Sequence, residues 1–350
     1  MSRFASPTMR RMRGFSLIEL MVSMALSLVL LAGALSILYS SKVSYSENER
    51  VARLQEAGRT VVELILRDAR SAGYVGCARP LRPEKYVNGL TASASVLWNL
   101  RVPLAGYETS PGAGAWTPAL NPLNAPLAAP DSDVIVIRTT RQGQPVFRTN
   151  APVTDPTLPI SVDRATNATV PAGTPMVIGD CTGASAFVAS GVTAVTPTTA
   201  TISHIAGGTP GNATVSLGRA FKLLGAQVVP VQTIIYYVRN NAAGLPALWQ
   251  RVGSAAPQLL IEGVENIQIT YGEDTTGDQL ADAYVTADAV GNWNNVISFS
   301  IAILVRSEDE NGLDVDGRTY NLLGTNVGPF NDRRQRSVFT TTVTLRNVAT

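Results

Sequence analysis

Residues 9–26, MRRMRGFSLIELMVSMAL, place a single carboxylate, Glu19, just inside a long apolar run. No further charge occurs over residues 20–41, and the next one is Lys42. A helix of that length rises about 33 Å, which matches the hydrocarbon thickness of a bilayer, about 30 Å. The arginines precede the run, so the positive-inside rule keeps them in the cytoplasm and exports the rest of the chain. The stretch therefore predicts one membrane span over about residues 20–41.

Three interpretations compete for this segment. The first is a cleaved secretory signal with AGA at residues 32–34 as its cleavage site, but Glu19 would then open its apolar core. The second is an uncleaved signal anchor, which leaves Glu19 unexplained because a carboxylate costs free energy in the bilayer. The third is cleavage between Gly14 and Phe15, which creates a positive α-amino group four residues before Glu19. That amine and the helix dipole would then favour the carboxylate, on the same chain or on a neighbouring one.

The residues RGFSLIEL at 13–20, with about twenty apolar residues after them, resemble the class III signal of type IV pilins and type II secretion pseudopilins. The resemblance implies that a membrane aspartyl peptidase, the prepilin peptidase, cleaves after Gly14. It also implies that Phe15 becomes the N-methylated N-terminus and that Glu19 is the fifth mature residue. Residues 1–14 are then a cytoplasmic leader that is removed, and Glu19 sets the register between packed helices.

The helical pattern continues beyond the apolar run. Val51, Leu54, Val61 and Ile65 recur at intervals of three and four residues, with Gly58 between them, which indicates one buried stripe of an amphipathic helix. The two glycines in SAGYVGC, residues 71–77, end the pattern. We therefore expect one long helix over residues 15–70, with its first half in lipid or among other helices and its second half on a globular domain.

Residues 71–350 predict a β-rich globular domain outside the cytoplasm. Residues 78–130 are rich in Pro, Gly, Ala and Asn and predict a long irregular connection, and residues 191–218 give no clear pattern. Short β-branched and aromatic runs predict strands at 132–140, 174–180, 186–192, 233–240, 247–252, 263–274, 296–307 and 336–347. A helix followed by strands indicates an α+β fold, in which an antiparallel sheet rests on the second half of the helix. This is also the architecture that the pilin resemblance implies.

Three further segments are similar to PilW-type minor pilins: SAGYVGC, the apolar strand that ends in VRS at 305–307, and RRQRSVFTTTVTLRN at 333–347. This resemblance implies a structural subunit that helps to initiate a type IV pilus, at the tip. Its partners would be other minor pilins and the major pilin, through the N-terminal helix, and a tip adhesin. The protein would sit in the inner membrane, with its domain in the periplasm, before it enters the pilus. A type II secretion pseudopilin shares the same N-terminus and is the nearest alternative.

Composition excludes several other functions. Four of the 28 Lys and Arg residues lie in the first thirteen positions, so 24 of them face 26 Asp and Glu in the remainder, and no basic face for nucleic acid is left. The chain has no P-loop, G-x-S-x-G, C-x-x-C or H-E-x-x-H motif, and its single histidine, His204, is interpreted as a surface or loop residue. A membrane-tethered periplasmic enzyme or adhesin is the alternative from another class, but we expect no enzyme activity.

Two acidic loops are candidate calcium sites, since clustered carboxylates bind Ca²⁺ weakly outside the cell. The first, EDTTGDQLAD at 273–282, offers Asp274, Thr276, Asp278 and Asp282, but Gln279 stands where a glycine would make the turn. The second, SEDENGLDVDG at 307–317, contains Asp309, Asn311, Asp314 and Asp316. The alternative is that Asp, Asn and Gly are ordinary turn residues there, and no cofactor is otherwise expected.

Cys77 and Cys181 are the two cysteines of the chain. In an exported protein an isolated pair most often forms a disulfide, and the loop closed here would contribute about 4 to 5 kcal/mol in the chain-entropy model. Two buried free thiols are the alternative.

Overall fold

A computed structural model of the chain describes residues 14, 16–76, 85–109, 115–120, 129, 131–163, 170–222, 224–310, 312 and 314–348. The only helix longer than one turn in this part of the chain is α1, Leu17–Arg70. The chain divides into two units, residues 1–52 and residues 53–350, and α1 contributes to both. The first unit includes the first two thirds of α1. The second contains the end of α1 and every described strand.

The second unit contains 21 described strands, most of them short. The first ten are β1 (Tyr86–Asn88), β2 (Leu104–Thr109), β3 (Trp116–Thr117), β4 (Val134–Thr140), β5 (Phe147–Thr149), β6 (Ile160–Asp163), β7 (Thr174–Asp180), β8 (Gly183–Ala189), β9 (Gly191–Ala194) and β10 (Thr199–Ser203). The others are β11 (Gly207–Gly208), β12 (Gly211–Asn212), β13 (Gln227–Asn240), β14 (Pro246–Val252), β15 (Gln258–Glu262), β16 (Val264–Glu273), β17 (Ala283–Val285), β18 (Val296–Arg306), β19 (Tyr320–Leu322), β20 (Thr325–Val327) and β21 (Arg336–Thr344). One turn of 3-10 helix, Trp293–Asn295, precedes β18.

The long strand β13 organises a branched sheet of thirteen described strands. Its first residues pair with β5 and β7, which continue to β6, β10 and β9 on one side and to β8 and β1 on the other. Its later residues pair with β4 and β14, which continue to β2 and β3 and to β15. All of these pairs are antiparallel except β1 with β8.

A second sheet has the order β17-β16-β18-β21 and is antiparallel throughout. Its central strand β18 is almost continuously apolar and buried, as expected of a strand that is covered on both faces. In the edge strand β21, exposed residues alternate with half-buried or buried ones over residues 339–344. Two small hairpins, β11-β12 and β19-β20, complete the described sheets.

The end of α1 supplies one stripe of the main core. Its buried residues are Leu54, Gly58, Val61, Ile65, Asp68 and Ala69. They pack with residues of both large sheets, among them Ile137 of β4, Ile234 of β13 and Val343 of β21. Gly58 is required for close packing, because a Cβ added there would overlap the ring of Phe339. A second core fills the space around β5 to β10.

The fold class predicted from the sequence, α+β with a long N-terminal helix on a β-rich domain, is confirmed. Every predicted strand run overlaps an observed strand, although β13 begins six residues earlier than predicted. Three strands (β1, β2 and β3) lie within the stretch predicted to be irregular. The predicted stripe includes Val51, but this side chain is 39% exposed in the first unit, so the buried stripe begins at Leu54.

Candidate functional site

The first turn of α1 is closed by a capping box. The backbone N–H of Glu19 donates to Ser16 Oγ, and the backbone N–H of Ser16 donates to Glu19 Oε2. The donor–acceptor distance is 3.4 Å in each bond. This reciprocal pair satisfies two amides that have no partner within the helix. The S-x-x-E spacing that encodes it is visible in the sequence, but the sequence analysis considered only the α-amine and the helix dipole as partners of Glu19. The carboxylate is exposed at the end of the helix, where the dipole favours negative charge.

The apolar run after Glu19 is exposed. Large side chains from Leu17 to Leu38 are each more than half exposed, and α1 is long and apolar enough to span a membrane by length and composition. Two serines in the run donate to carbonyls of the preceding turn, Ser23 to Leu20 and Ser27 to Ser23. These bonds spare the run an unpaired hydroxyl in an apolar medium. An exposed apolar surface of this size needs lipid or other protein around it.

The predicted processing site straddles the start of the described chain. Gly14 is described and exposed, and a Cβ added there would meet no atom within 4 Å. Phe15 lies outside the described residues. Cleavage after Gly14 and methylation of Phe15 therefore stay predictions that rest on the sequence pattern.

Asp68 attaches the end of α1 to the sheet, and sequence reasoning missed it. Its carboxylate is buried and accepts hydrogen bonds from the Tyr236 hydroxyl at 2.6 Å and from Gln142 Nε2 at 3.3 Å. Tyr236 Oη in turn accepts from Gln250 Nε2. The signal available in the sequence was weak: Asp68 stands three residues after Ile65, on the buried stripe, where an acid without a partner would be costly.

His204 lies in the connection between β10 and β11, as the loop interpretation expects, but it is buried, with 4% of its surface exposed, and is not a surface residue. Its Nδ1 lies 2.9 Å from the carbonyl oxygen of Val215, and its Nε2 lies 3.0 Å from that of Leu158. The ring also packs edge-on against Phe187. Both nitrogens are occupied by backbone groups, which indicates a residue that joins loops and not a general base with a free nitrogen.

The first acidic loop uses its carboxylates to hold its own backbone. Asp282 accepts from the backbone amides of Thr275 and Thr276, and also from both of their hydroxyls. Asp274 accepts from the amides of Gly277 and Gln279. The pKa of Asp282 is lowered by the bonds from Thr275 first and Thr276 second. Gln279 has a positive φ of 69°, which an asparagine or glycine adopts more readily.

Within the described chain, no three or more His, Cys, Asp or Glu side chains are grouped so that they could hold a metal ion. Calcium binding at Asp274, Thr276, Asp278 and Asp282 is therefore still a prediction. The hydrogen bonds of the loop account for the geometry of its carboxylates without an ion. In the second loop Asn311 lies outside the described residues, Asp309 and Asp314 are exposed, and Asp316 points into a buried cluster.

That cluster surrounds Arg336, whose side chain is fully buried. Its guanidinium binds Glu265 through Nε (2.6 Å) and Nη2 (3.1 Å), and Asp332 through Nη1 (2.6 Å) and Nη2 (2.7 Å). Nη1 also lies 3.2 Å from Asp316 Oδ2, and the guanidinium stacks on the ring of Phe330 at 3.7 Å from its centroid. These bonds join β16, β21 and the connection between β18 and β21. Their effect is to hold that connection against the sheet.

Charge in this cluster is balanced by further arginines at its rim. Arg306 pairs with Glu265, and Arg318 pairs with Asp316. The hydrogen bonds from Arg336 lower the pKa of Asp332 to about 2. Burial alone would raise the pKa of Asp316, but hydrogen bonds from Tyr320 and Arg318 outweigh it and lower the pKa. Asp316 and Asp332 are therefore ionised over the whole physiological range.

A second buried acidic site lies where β2 and β4 meet β16, and it has no described cation. Asp133 accepts from the backbone amides of Thr109 at 3.2 Å and Ile269 at 2.9 Å. Glu108 shares a hydrogen bond with it. Burial and then repulsion from Glu108 raise the pKa of Asp133 to about 8, and burial raises that of Glu108 to about 7. The two carboxyls therefore retain one proton between them near neutral pH.

Cys181 lies in the turn between β7 and β8, and Cys77 lies outside the described residues. The residues next to the two cysteines lie close together. A Cβ added at Gly76 would be 3.3 Å from the carbonyl oxygen of Gly179. The Cys77–Cys181 disulfide remains a prediction, and this approach of their neighbours is compatible with it.

Comparisons with known proteins give two matches, at opposite ends of the chain. Residues 235–347 match the family model described as type IV pilus-assembly protein W. Residues 9–35 match the model of the prokaryotic N-terminal methylation motif. No curated protein and no solved structure gives a significant match. The two models confirm the resemblance to a PilW-like type IV minor pilin and support membrane anchoring and association with a pilus.

Proposed function

We propose that this chain, a PilW-like pilin, is a minor pilin that helps to initiate assembly of a type IV pilus and occupies the pilus tip. The observation that carries the proposal is the pairing of a methylation-type N-terminus with a PilW-type C-terminal domain in one chain. The prepilin peptidase would cleave after Gly14 and leave Phe15 as the methylated N-terminus. The β-rich domain would lie in the periplasm until the subunit leaves the membrane.

Assembly would proceed by lateral packing of the exposed apolar half of α1. Its large apolar side chains are exposed, so lipid would surround them first and other pilins, minor and major, would do so later. Glu19 is placed to neutralise the α-amine of Phe15 on a neighbouring helix, since its carboxylate is exposed while it caps its own helix. Each helix would thereby fix the axial position of the next.

The family matched over residues 235–347 is described as a pilus-assembly protein, which favours a structural role. His204 does not support a catalytic role, because both of its ring nitrogens lie against backbone carbonyl oxygens. A tip position follows from sterics, because a domain of about 300 residues is awkward to repeat along a thin fibre. A tip adhesin is then a natural partner for its distal surface. A type II secretion pseudopilin would share the N-terminus, but the match over residues 235–347 favours the pilus.

N-terminal processing is the first test. Intact mass and N-terminal sequencing of the membrane protein, with and without the prepilin peptidase, should give a chain that begins at N-methyl-Phe15 only when the peptidase is present. A chain that begins near Leu35, or an uncut Met1, would falsify the proposal.

Replacement of Glu19 tests how the helix is used. The variant Glu19→Gln keeps the size and capping geometry but removes the charge, so we expect normal protein levels and cleavage with at least a tenfold loss of the subunit from sheared pili. The control Ser16→Ala removes the other half of the capping box, which costs about 1 kcal/mol of helix stability, and should leave incorporation largely intact. Equal incorporation of Glu19→Gln and wild type would mean that α1 is only an anchor.

A further inference from the structure

The outer edge of β21 pairs with no described strand. The ladder between β18 and β21 runs over nine residue pairs without a register shift. The amide of Leu345 donates to the carbonyl of Ile297, which fixes the odd-numbered residues of β21 as those bonded to β18. The N–H and C=O groups of Val338, Thr340, Thr342 and Thr344 therefore point away from the sheet, and no described residue bonds to them.

This edge lacks the features that normally protect a free strand. Other edge strands of the two large sheets are short: β1 and β17 have three residues, β3 has two and β9 has four. The five-residue β15 ends in Glu262 and pairs with β14 across a β-bulge. Strand β21 has nine residues with no proline, bulge or charge over residues 337–344. Charges, prolines, bulges and short length are the devices that prevent edge-to-edge pairing, and their absence leaves this edge open to it.

Side chains along the edge specify what would bind there. Thr340, Thr342 and Thr344 are exposed on one face. On the other face the ring of Phe339 lies over Gly58 of α1 and is only half buried. The occupant must supply backbone groups at strand spacing, and uncharged residues opposite the threonines, because a charge there would meet no counter-charge.

We propose that β21 is a docking edge that accepts a β-strand from another polypeptide, an uncharged segment that extends the four-stranded sheet by antiparallel pairing. The inference rests on the proposed function, since the partner would be another pilus subunit. The edge lies beside the part of α1 that packs on the same sheet, so a subunit held through its own helix would have its domain near this edge. The ladder would satisfy all four outward N–H groups, and Phe339 would supply an apolar anchor.

A second copy of this chain does not fit the assembly. Antiparallel pairing of two identical β21 edges is related by a two-fold axis perpendicular to the sheet. That axis would reverse the direction of residues 53–70 of α1 in the second copy. Subunits that enter one membrane in the same orientation have helices that run the same way, so the partner is a different chain.

Proline substitutions at outward amides test the edge in the full-length protein. Thr340→Pro with Thr344→Pro removes two outward donors but no bond to β18. We expect at least a tenfold loss of the subunit from sheared pili, with normal N-terminal processing. The matched control, Ala194→Pro, is placed on the exposed edge strand β9 and should stay within twofold of wild type. Incorporation of the double variant within twofold of wild type would overturn the proposal.

Amide hydrogen exchange on the wild-type chain gives a result that does not depend on how the variants fold. In purified protein in detergent, the amides of residues 338, 340, 342 and 344 should exchange quickly and those of 339, 341 and 343 slowly. In assembled pili all seven should be protected. An unchanged alternation in pili, or the same gain of protection in a purified dimer, would overturn the assignment to a foreign strand. Should Glu19→Gln abolish incorporation while the proline variant does not, only the docking edge fails.

Discussion

Two acidic sites in the second unit offset the cost of burying carboxyl groups in different ways, one with a counter-charge and one with a retained proton. At Arg336, three carboxylates surround one fully buried guanidinium, which keeps the pKa values of Asp316 and Asp332 low. At Asp133, two carboxyls face each other without a described cation, and one proton is retained between them. Burial penalises any charge, so a carboxylate inside a protein needs either a counter-charge or a proton.

The two sites therefore give stability opposite dependences on pH. The lowered pKa of Asp332, about 2, contributes stability that is present above about pH 4 and is lost as pH falls towards 2. The raised pKa values at Glu108 and Asp133 contribute stability that is present below about pH 4 and is lost as pH rises through 7 to 8. The Arg336 cluster therefore makes the fold more stable at neutral pH than in strong acid. The site at Asp133 and Glu108 makes it more stable in weak acid than at neutral pH.

The largest expected effect comes from removing the central cation. Arg336→Met leaves Glu265, Asp316 and Asp332 partly buried without their shared partner, so we expect a loss of about 3 to 5 kcal/mol in the free energy of unfolding at pH 7. Arg318→Met is the control, because Arg318 binds the same Asp316 but is 68% exposed, and should cost less than about 1 kcal/mol. Chemical denaturation of the full chain in detergent measures both. Equal losses would show that burial does not distinguish the two arginines.

A smaller loss is expected at the site without a cation. Asp133→Asn replaces one acceptor oxygen with an amide group that faces a backbone N–H, either that of Thr109 or that of Ile269. The unpaired buried donor should cost about 1 to 3 kcal/mol at every pH. Asp155→Asn, at an exposed turn, is the matched substitution and should be close to neutral. A cost confined to alkaline pH would show that charge, and not the two amide bonds, determines the role of Asp133.

The smallest expected change in stability comes from replacing Glu108, which shares a proton with Asp133. In the wild type, a proton retained on folding makes stability fall by about 1.4 kcal/mol per pH unit over the range between the unfolded and folded pKa values. Glu108→Gln imitates the protonated acid, so it should match wild type near pH 5 and exceed it by about 1 kcal/mol near pH 8, because Glu108 is half-buried. Denaturation midpoints across this range measure the difference. A variant with the wild-type slope would place the proton elsewhere.

Sequence reasoning was strongest where the information is local. The apolar run, the charge asymmetry before it and the RGFSLIEL pattern all lie within about thirty residues, so the helix and the N-terminal match followed from them. Strands such as β18 and β13 were visible because β-branched residues cluster between turn residues. Strands β1 and β2 were missed, since each is short and lies in a stretch rich in proline and glycine, where pairing with distant strands decides the structure.

The long N-terminal helix with its apolar first half, the strand-rich domain and the resemblance that the family models support all followed from the sequence, because periodicity, charge and motif spacing act over a few residues. Tertiary structure alone decided which charges are buried. Glu265, Asp316, Asp332 and Arg336 come from segments up to 71 residues apart, and Asp68 meets Tyr236 across 168. It also decided that β21 lies at an edge, since strand order depends on long-range pairing that no local pattern encodes.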